Sequence, residues 1–332
     1  MDCQRPYRYS ALKQVVYIFL LLLTTSCAWV KDEVDDCPCG FWINLHYTYN
    51  ILDVEAAPEY IKEVSLYIYD ADGNYITRMD VSHQELYDKG YRIKVKGLPE
   101  GDYQFVVWSG IASSHYAIAG EKSGMDMFRL SLANQTRRSS IQLDDLYYGY
   151  LKTVHYCDEY ASYDVYMMKN TNQLSCLVVP ISQEKRIKAD DYIMKVVSPN
   201  STMDALNALV PSSTMTYEPF VIEDVTVNDS EYGTLQGLKY SISTLRMMEQ
   251  TDCRLILEKK DTGQQIFNVS LPEYIGMVGL LYTNMGRQLT LQEYLDRQDF
   301  YTVVFFMSND IDELIQLQVN SWRLRTYNHL KL

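Results

Sequence analysis

Apolar and polar residues alternate strictly where the readable part of the chain begins. Phe41, Ile43, Leu45, Tyr47 and Tyr49 interleave with Trp42, Asn44, His46 and Thr48. A period of two places the first set on one face, which predicts a half-buried strand. Short runs rich in β-branched and aromatic residues recur at 64–69, 75–79, 91–95, 103–108, 128–132 and 139–143. A second series follows at 170–179, 220–227, 238–244, 254–260, 265–271, 300–307 and 314–324. Turn chemistry separates them: Asp70-Ala71-Asp72-Gly73-Asn74, Pro99-Glu100-Gly101 and Asp261-Thr262-Gly263-Gln264. Asp-Gly supplies the positive-φ positions of a tight hairpin, and proline presets the first turn residue. Helical spacing is rare. Residues 203–209 place Leu206 and Leu209 on one side, and residues 289–297 carry Thr290 and Glu293 at capping-box spacing. Residues 83–89 are merely polar and brief. The pattern predicts an all-β protein with short helical insertions. The polar stretch Lys169-Asn170-Thr171-Asn172-Gln173 divides two β-rich regions, so domains are expected at 37–168 and 169–332.

The periodicity fails at the start of the chain. Residues 15–23 are continuously apolar behind Arg5, Arg8 and Lys13, too short a run to cross ~30 Å of hydrocarbon as a helix. Basic residues, a short apolar run and the small residues Thr25 and Ser26 compose a secretory signal. A cysteine directly after such a signal is the acceptor of a bacterial lipoprotein lipid, although Thr24 stands where a leucine-like residue is usual. Residues 1–26 are therefore expected to be a lipoprotein signal peptide and Cys27 the lipidation site. Residues 27–36, with Lys31, Asp32, Glu33, Asp35 and Asp36, read as an acidic tether that supports no packed element. Acidic residues just after a lipidated cysteine also resemble the signal that exports lipoproteins to the outer face of the outer membrane.

Charge narrows the function. Thirty Lys and Arg against 43 Asp and Glu give a net charge of -13, which opposes nucleic-acid and phosphate partners. Glycine-rich phosphate loops, HExxH and GxSxG are all absent from the sequence. His46, His83, His115, His155 and His329 are scattered, and His155 beside Asp158 and Glu159 reads as a solvated polar patch rather than a metal set. Asp144-Asp145 and Asp190-Asp191 are adjacent, so on a strand their carboxylates diverge. Cys37 and Cys39 supply two ligands, which alone make no site. The carboxylates near Asp70 belong to a hairpin, because glycine and glutamate do not fall where a calcium loop needs them. Catalysis, a metal and a cofactor are accordingly not expected. The 29 tyrosines and 4 tryptophans either line the strands of β-sandwiches or form a glycan-stacking face; the second use would make the chain a surface glycan-binding lipoprotein.

Several stretches in order carry a family resemblance. They are the signal ending at Cys27, CPC at 37–39 leading into a strand, YIYDADGNYI at 67–76 and GLPEGDYQFVVWSG at 97–110. DDLYYG at 144–149 and LIQLQVNSWRLR at 314–325 complete the series. Together they resemble the FimB-type fimbrial anchor subunits of Bacteroides-type bacteria over nearly the whole mature chain. The resemblance implies two tandem transthyretin-like β-sandwich domains and a lipid anchor in the cell outer membrane, exposed at the surface. It implies a place at the base of a type V pilus, where the anchor holds a fimbrial stalk subunit by strand complementation and limits filament length. Residues 314–324 and 41–49 are the segments expected near that contact. The sequence departs from the family at Ser321, where glycine is expected before Trp322.

Overall fold

Phe41–His46 forms the expected strand, buried at Phe41, Ile43 and Leu45 and half-buried between them. It lies in the middle of a three-stranded sheet, antiparallel to Arg92–Val95 and parallel to Ala161–Tyr166. The computed structural model describes residues 40–133, 136–157, 161–182, 187–211, 214–279, 283–284, 287–308, 311, 314–320 and 322–325. Within it the chain is a set of packed β-sheets with a few short helices.

A five-stranded sheet packs on the first, in the order Met168–Lys169, Tyr147–Tyr156, Gly101–Ser109, Val64–Asp70, Tyr75–Val81. Leu66, Ile68, Phe105 and Val107 share a core with Phe41, Ile43 and Ile93. Alternate residues of the same strands, Tyr67, Tyr69, Val106 and Trp108, pack on the opposite side with Phe128 and Leu130. Burial on both faces explains why residues 64–69, apolar except at Ser65, form a run rather than an alternation.

The second series of strands builds a six-stranded sheet in the order Val221–Asp229, Gly233–Leu245, Thr171–Pro180, Phe300–Met307, Leu314–Val319, Trp322–Arg325. A five-stranded sheet accompanies it: Gln265–Ser270, Arg254–Lys259, Tyr192–Ser198, Met215–Tyr217 and Arg138–Ser139. The two series exchange elements. Arg138–Ser139 adds in parallel to Met215–Tyr217, while Thr202–Met203 pairs with Arg129–Leu132, which in turn pairs with Tyr116–Ala119. One hydrophobic core consequently runs from Tyr67 and Trp108 through Leu174 and Cys176 to Leu238 and Phe305.

Several expectations change. Residues 203–209 are not helical: Thr202–Met203 is a strand, and the chain then turns around Asp204. The Asp204 carboxylate accepts the Leu206 and Ala208 N–H groups, and Asn207 takes a positive φ of 62°. That local hydrogen bonding outcompetes a helix and leaves Leu206 exposed. The single strand expected at 314–324 is two, Leu314–Val319 and Trp322–Arg325, antiparallel to each other. Asn320, at φ 51°, turns the chain between them. Residues 83–89 hold a helix, His83–Asp88, which Ser82 caps by accepting the Glu85 N–H. A further helix, Leu271–Gly279, went unsignalled. Thr290 does cap Leu291–Arg297 through the Glu293 N–H at 3.2 Å.

Candidate docking edges and the junction between the sandwiches

Cys27, Cys37 and Cys39, together with the tether, lie outside the described residues. Cys176 and Cys253 are buried thiols pushed up to about 12 by that burial, which makes them inert packing groups.

Charged pairs clamp the junction where the two series of strands meet. The Lys169 Nζ sits between Asp145 at 2.8 Å and Asp299 at 2.7 Å, with only 9 % of its side chain exposed. Burial alone would lower its pKa, but the Asp299 and Asp145 carboxylates outweigh that and hold it above the usual lysine range. Tyr47 and Tyr147 beside this group are kept protonated first by burial and then by the same carboxylates. Within the second series, Arg246 grips Asp296 through two bonds of 2.8 Å and donates to the Asn207 carbonyl at 3.1 Å, which holds the Asp296–Arg297 end of its helix in place. Arg297 pairs with Asp53 and Glu293 and lies over the Tyr49 ring at 4.2 Å. These contacts join residues 49–53 and 145–147 to 296–299, so the junction is a bonded seam rather than a loose linker.

Beside the seam is a cleft of about 670 Å³, lined by Glu59, Tyr60, Glu63, Asp144, Asp145 and Gln173 among others. Three of its carboxylates, Glu63, Asp144 and Asp145, already serve the fold. Glu63 accepts the Gly110 N–H at 2.6 Å, and Asp144 accepts the Ser113 hydroxyl at 2.6 Å. Asp145 turns instead to Lys169 and the Tyr147 hydroxyl, so the adjacent carboxylates do diverge.

The described histidines stand apart from one another, and His329 lies outside the described residues. His46 contacts Glu55 at 2.8 Å and Asp164 at 3.3 Å, and His115 contacts Asp144 at 3.0 Å. His155 meets Asp102 at 2.8 Å; Asp158 and Glu159 lie outside the described residues. Among the described residues, no group of three or more His, Cys, Asp and Glu could hold a metal ion, and no helix is long and apolar enough to cross a membrane. Most tyrosine rings on the strands are core: Tyr67, Tyr69, Tyr147, Tyr217, Tyr240 and Tyr301 are fully buried. Tyr60, Tyr87 and Tyr166 are exposed on three different elements.

What remains for function is the rim of the sheets. Phe41–His46 is covered on both sides and offers no edge. Leu314–Val319 is likewise interior, and Trp322–Arg325 is the outer strand there. Val221–Asp229 is the outer strand at the opposite side of that sheet. The sequence hid this, because edge position depends on sheet order, a long-range property that strand periodicity does not encode.

Packed β-sheets that exchange short strands, with outer strands at their rims, define the chain as an all-β sandwich protein. The chain belongs to the family of fimbrillin-A associated anchor proteins Mfa1 and Mfa2, whose model matches residues 34–328. It is similar to the minor fimbrium anchoring subunit Mfa2 of Porphyromonas gingivalis, 20% identical over 310 residues that cover 90% of this chain and 89% of that one. A candidate adhesin of Bacteroides thetaiotaomicron superposes with a TM-score of 0.76 at 26% identity, over 88% of this chain and 99% of that one. The P. gingivalis fimbrial anchor protein Mfa2 superposes with a TM-score of 0.62 at 17% identity, over 87% of this chain and 99% of the other. Family membership makes this chain a fimbrium-associated anchor at the cell surface that associates with fimbrial subunits. It is a family of structural proteins, in keeping with the resemblance read from the motifs.

Proposed function

We propose that the chain is an outer-membrane lipoprotein that holds the base of a fimbria to the cell through a lipid on Cys27. The observation that carries this reading is the position of Cys27, directly after a short apolar signal and ahead of an acidic tether, in a chain of the anchor family. Multiple acyl chains, each methylene contributing ~0.8 kcal/mol, would make attachment stable where a single chain would not. Residues 28–36 give the globular part reach from the membrane, and the charged contacts of Lys169 and Arg297 across the junction support passage of load.

Stalk subunits join by strand complementation, in which an added strand satisfies a row of backbone groups and seats alternate side chains. Of the two segments expected near that contact, Trp322–Arg325 has the outer position that such pairing needs and Phe41–His46 does not. An anchor that caps growth in this way also limits filament length. The test is Cys27→Ala in cells that carry fimbriae. Protein and attached filaments should leave the outer-membrane fraction for the medium; retention of both in the membrane would refute the lipid anchor.

A further inference from the structure

The outer strand Val221–Asp229 is unlike the other described sheet edges. Arg92–Val95 and Trp322–Arg325 have four residues each. Tyr75–Val81 pairs across a register shift and is crossed by Arg78, which bonds Asp80 and Glu121. Gln265–Ser270 also pairs across a register shift, and Ala161–Tyr166 is regular but only six residues long. Short length, irregularity and charged cover are the usual ways to stop a sheet edge from recruiting another strand.

Val221–Asp229 is neither short nor irregular, and its charged residues, Glu223, Asp224 and Asp229, are all acidic. It has nine residues, pairs with Gly233–Leu245 without a register shift, and contains no proline, glycine, lysine or arginine. Five of its residues, Val221, Ile222, Val225, Thr226 and Val227, are β-branched, the composition that favours pairing. Its first four residues are exposed although they alternate in direction, so neither face of that end is covered. Val221 is 43% and Ile222 44% exposed. Farther along, Val227 packs on a small cluster of Val179, Leu235, Val304 and Phe306, which holds the strand in place.

Charge selects the occupant. Glu223 and Asp224 stand on the exposed end, with Asp229 and Glu231 at the turn, and no lysine or arginine occurs between Lys195 and Lys239. The Lys239 ammonium is committed to Glu223 at 2.5 Å. A second copy would bring two acidic edges together, whereas a basic strand would meet opposite charge. We propose that Val221–Asp229 is a lateral strand-addition edge for an extended partner segment in which lysine or arginine alternates with apolar residues. It is separate from the terminal strands invoked above and does not depend on lipidation at Cys27.

Hydrogen exchange on the purified full chain tests this, with a nine-residue peptide of alternating lysine and valine as probe. The outward amides of Val221–Asp229 should slow about tenfold at saturating peptide, and a glutamate–valine peptide should leave them unchanged. Glu223→Lys combined with Asp224→Lys should abolish the slowing. Val225→Pro and Thr226→Pro, made separately, add a backbone test. Neighbouring amides point to opposite sides, so one of the two removes an outward N–H and should lose peptide binding with its unfolding midpoint within a few degrees of wild type. Slowing by both peptides alike, slowing that survives charge reversal, or slowing confined to other strands would overturn the proposal. Protection that rises with protein concentration alone, with dimers in sedimentation, would also overturn it in favour of a second copy.

Discussion

The hairpins Val64–Val81 and Val221–Leu245 begin from the same chemistry and end differently. Each turns on an aspartate whose carboxylate accepts backbone N–H groups: Asp70 from Asp72 and Asn74, Asp229 from Glu231 and Tyr232. Gly73 and Gly233 supply the left-handed backbone, at φ 83° and 74°. Each hairpin also has one interior and one outer strand. The outer strand Tyr75–Val81 is tied down, because Arg78 reaches Asp80, Glu121, the Tyr67 hydroxyl and the Ser65 hydroxyl. On Val221–Asp229 the Glu223 carboxylate pairs with Lys239 of the neighbouring strand, and the strand itself contains no lysine or arginine. Turn residues make a hairpin; the side chains on its outer strand decide whether it stays available for pairing.

The comparison requires both interior strands to be core, and this sets the largest expected effect. Leu66 is fully buried and Leu238 is 3% exposed, each inside a hydrophobic cluster. Leu66→Ala and Leu238→Ala should each lose about 2–5 kcal/mol, read from the denaturant midpoint. A loss at Leu238 below about 1 kcal/mol would show that the second hairpin is not anchored, and the contrast between the outer strands would lose its basis.

A smaller effect distinguishes the outer strands themselves. Arg78→Ala removes several charge-assisted bonds and leaves Glu121, two-thirds covered, without its guanidinium. The expected cost is about 1–3 kcal/mol, with faster amide exchange along Tyr75–Val81. Glu223→Ala on the acidic strand breaks an exposed pair and should cost under about 1 kcal/mol. Equal costs would mean that the two edges are protected alike.

How much of this was legible in the sequence follows from the range of the interactions involved. The Asp70 hairpin and the Thr290 cap depend on residues within four positions, and both were readable from spacing. The failure at residues 203–209 was also local: Asp204 bonds two N–H groups ahead of it, which side-chain hydrophobicity does not reveal. Strand Tyr147–Tyr156 was not read from the pattern, since Lys152, Thr153 and His155 interrupt the apolar run on its exposed stretch. The exchange of Arg138–Ser139 and Thr202–Met203 between sheets rests on two-residue pairings too short to leave a pattern. Sheet order, and with it the identity of the outer strands, is set by contacts across the whole chain. The motif order pointed to the anchor family, which the family match confirms, while Cys27 lies beyond the described residues.

The smallest effect concerns the two turns, and acid resolves it. The Asn74 side-chain amide at 2.9 Å and the Asn74 and Asp72 backbone N–H groups hold the Asp70 carboxyl below its ordinary pKa. A carboxylate favoured in the folded state contributes stability that is complete above its unfolded-state value, near ~4, and is lost as pH falls through the lower folded value. Asp70→Asn cannot carry the charge, so its midpoint should fall below wild type by a constant amount from about pH 5 to 7. The gap should narrow as the solution is acidified below ~4, where wild-type Asp70 takes up its proton. A gap that stays the same or widens down to about pH 3 would mean that the Asp70 turn owes its stability to shape rather than charge. The two hairpins would then differ only on their outer strands.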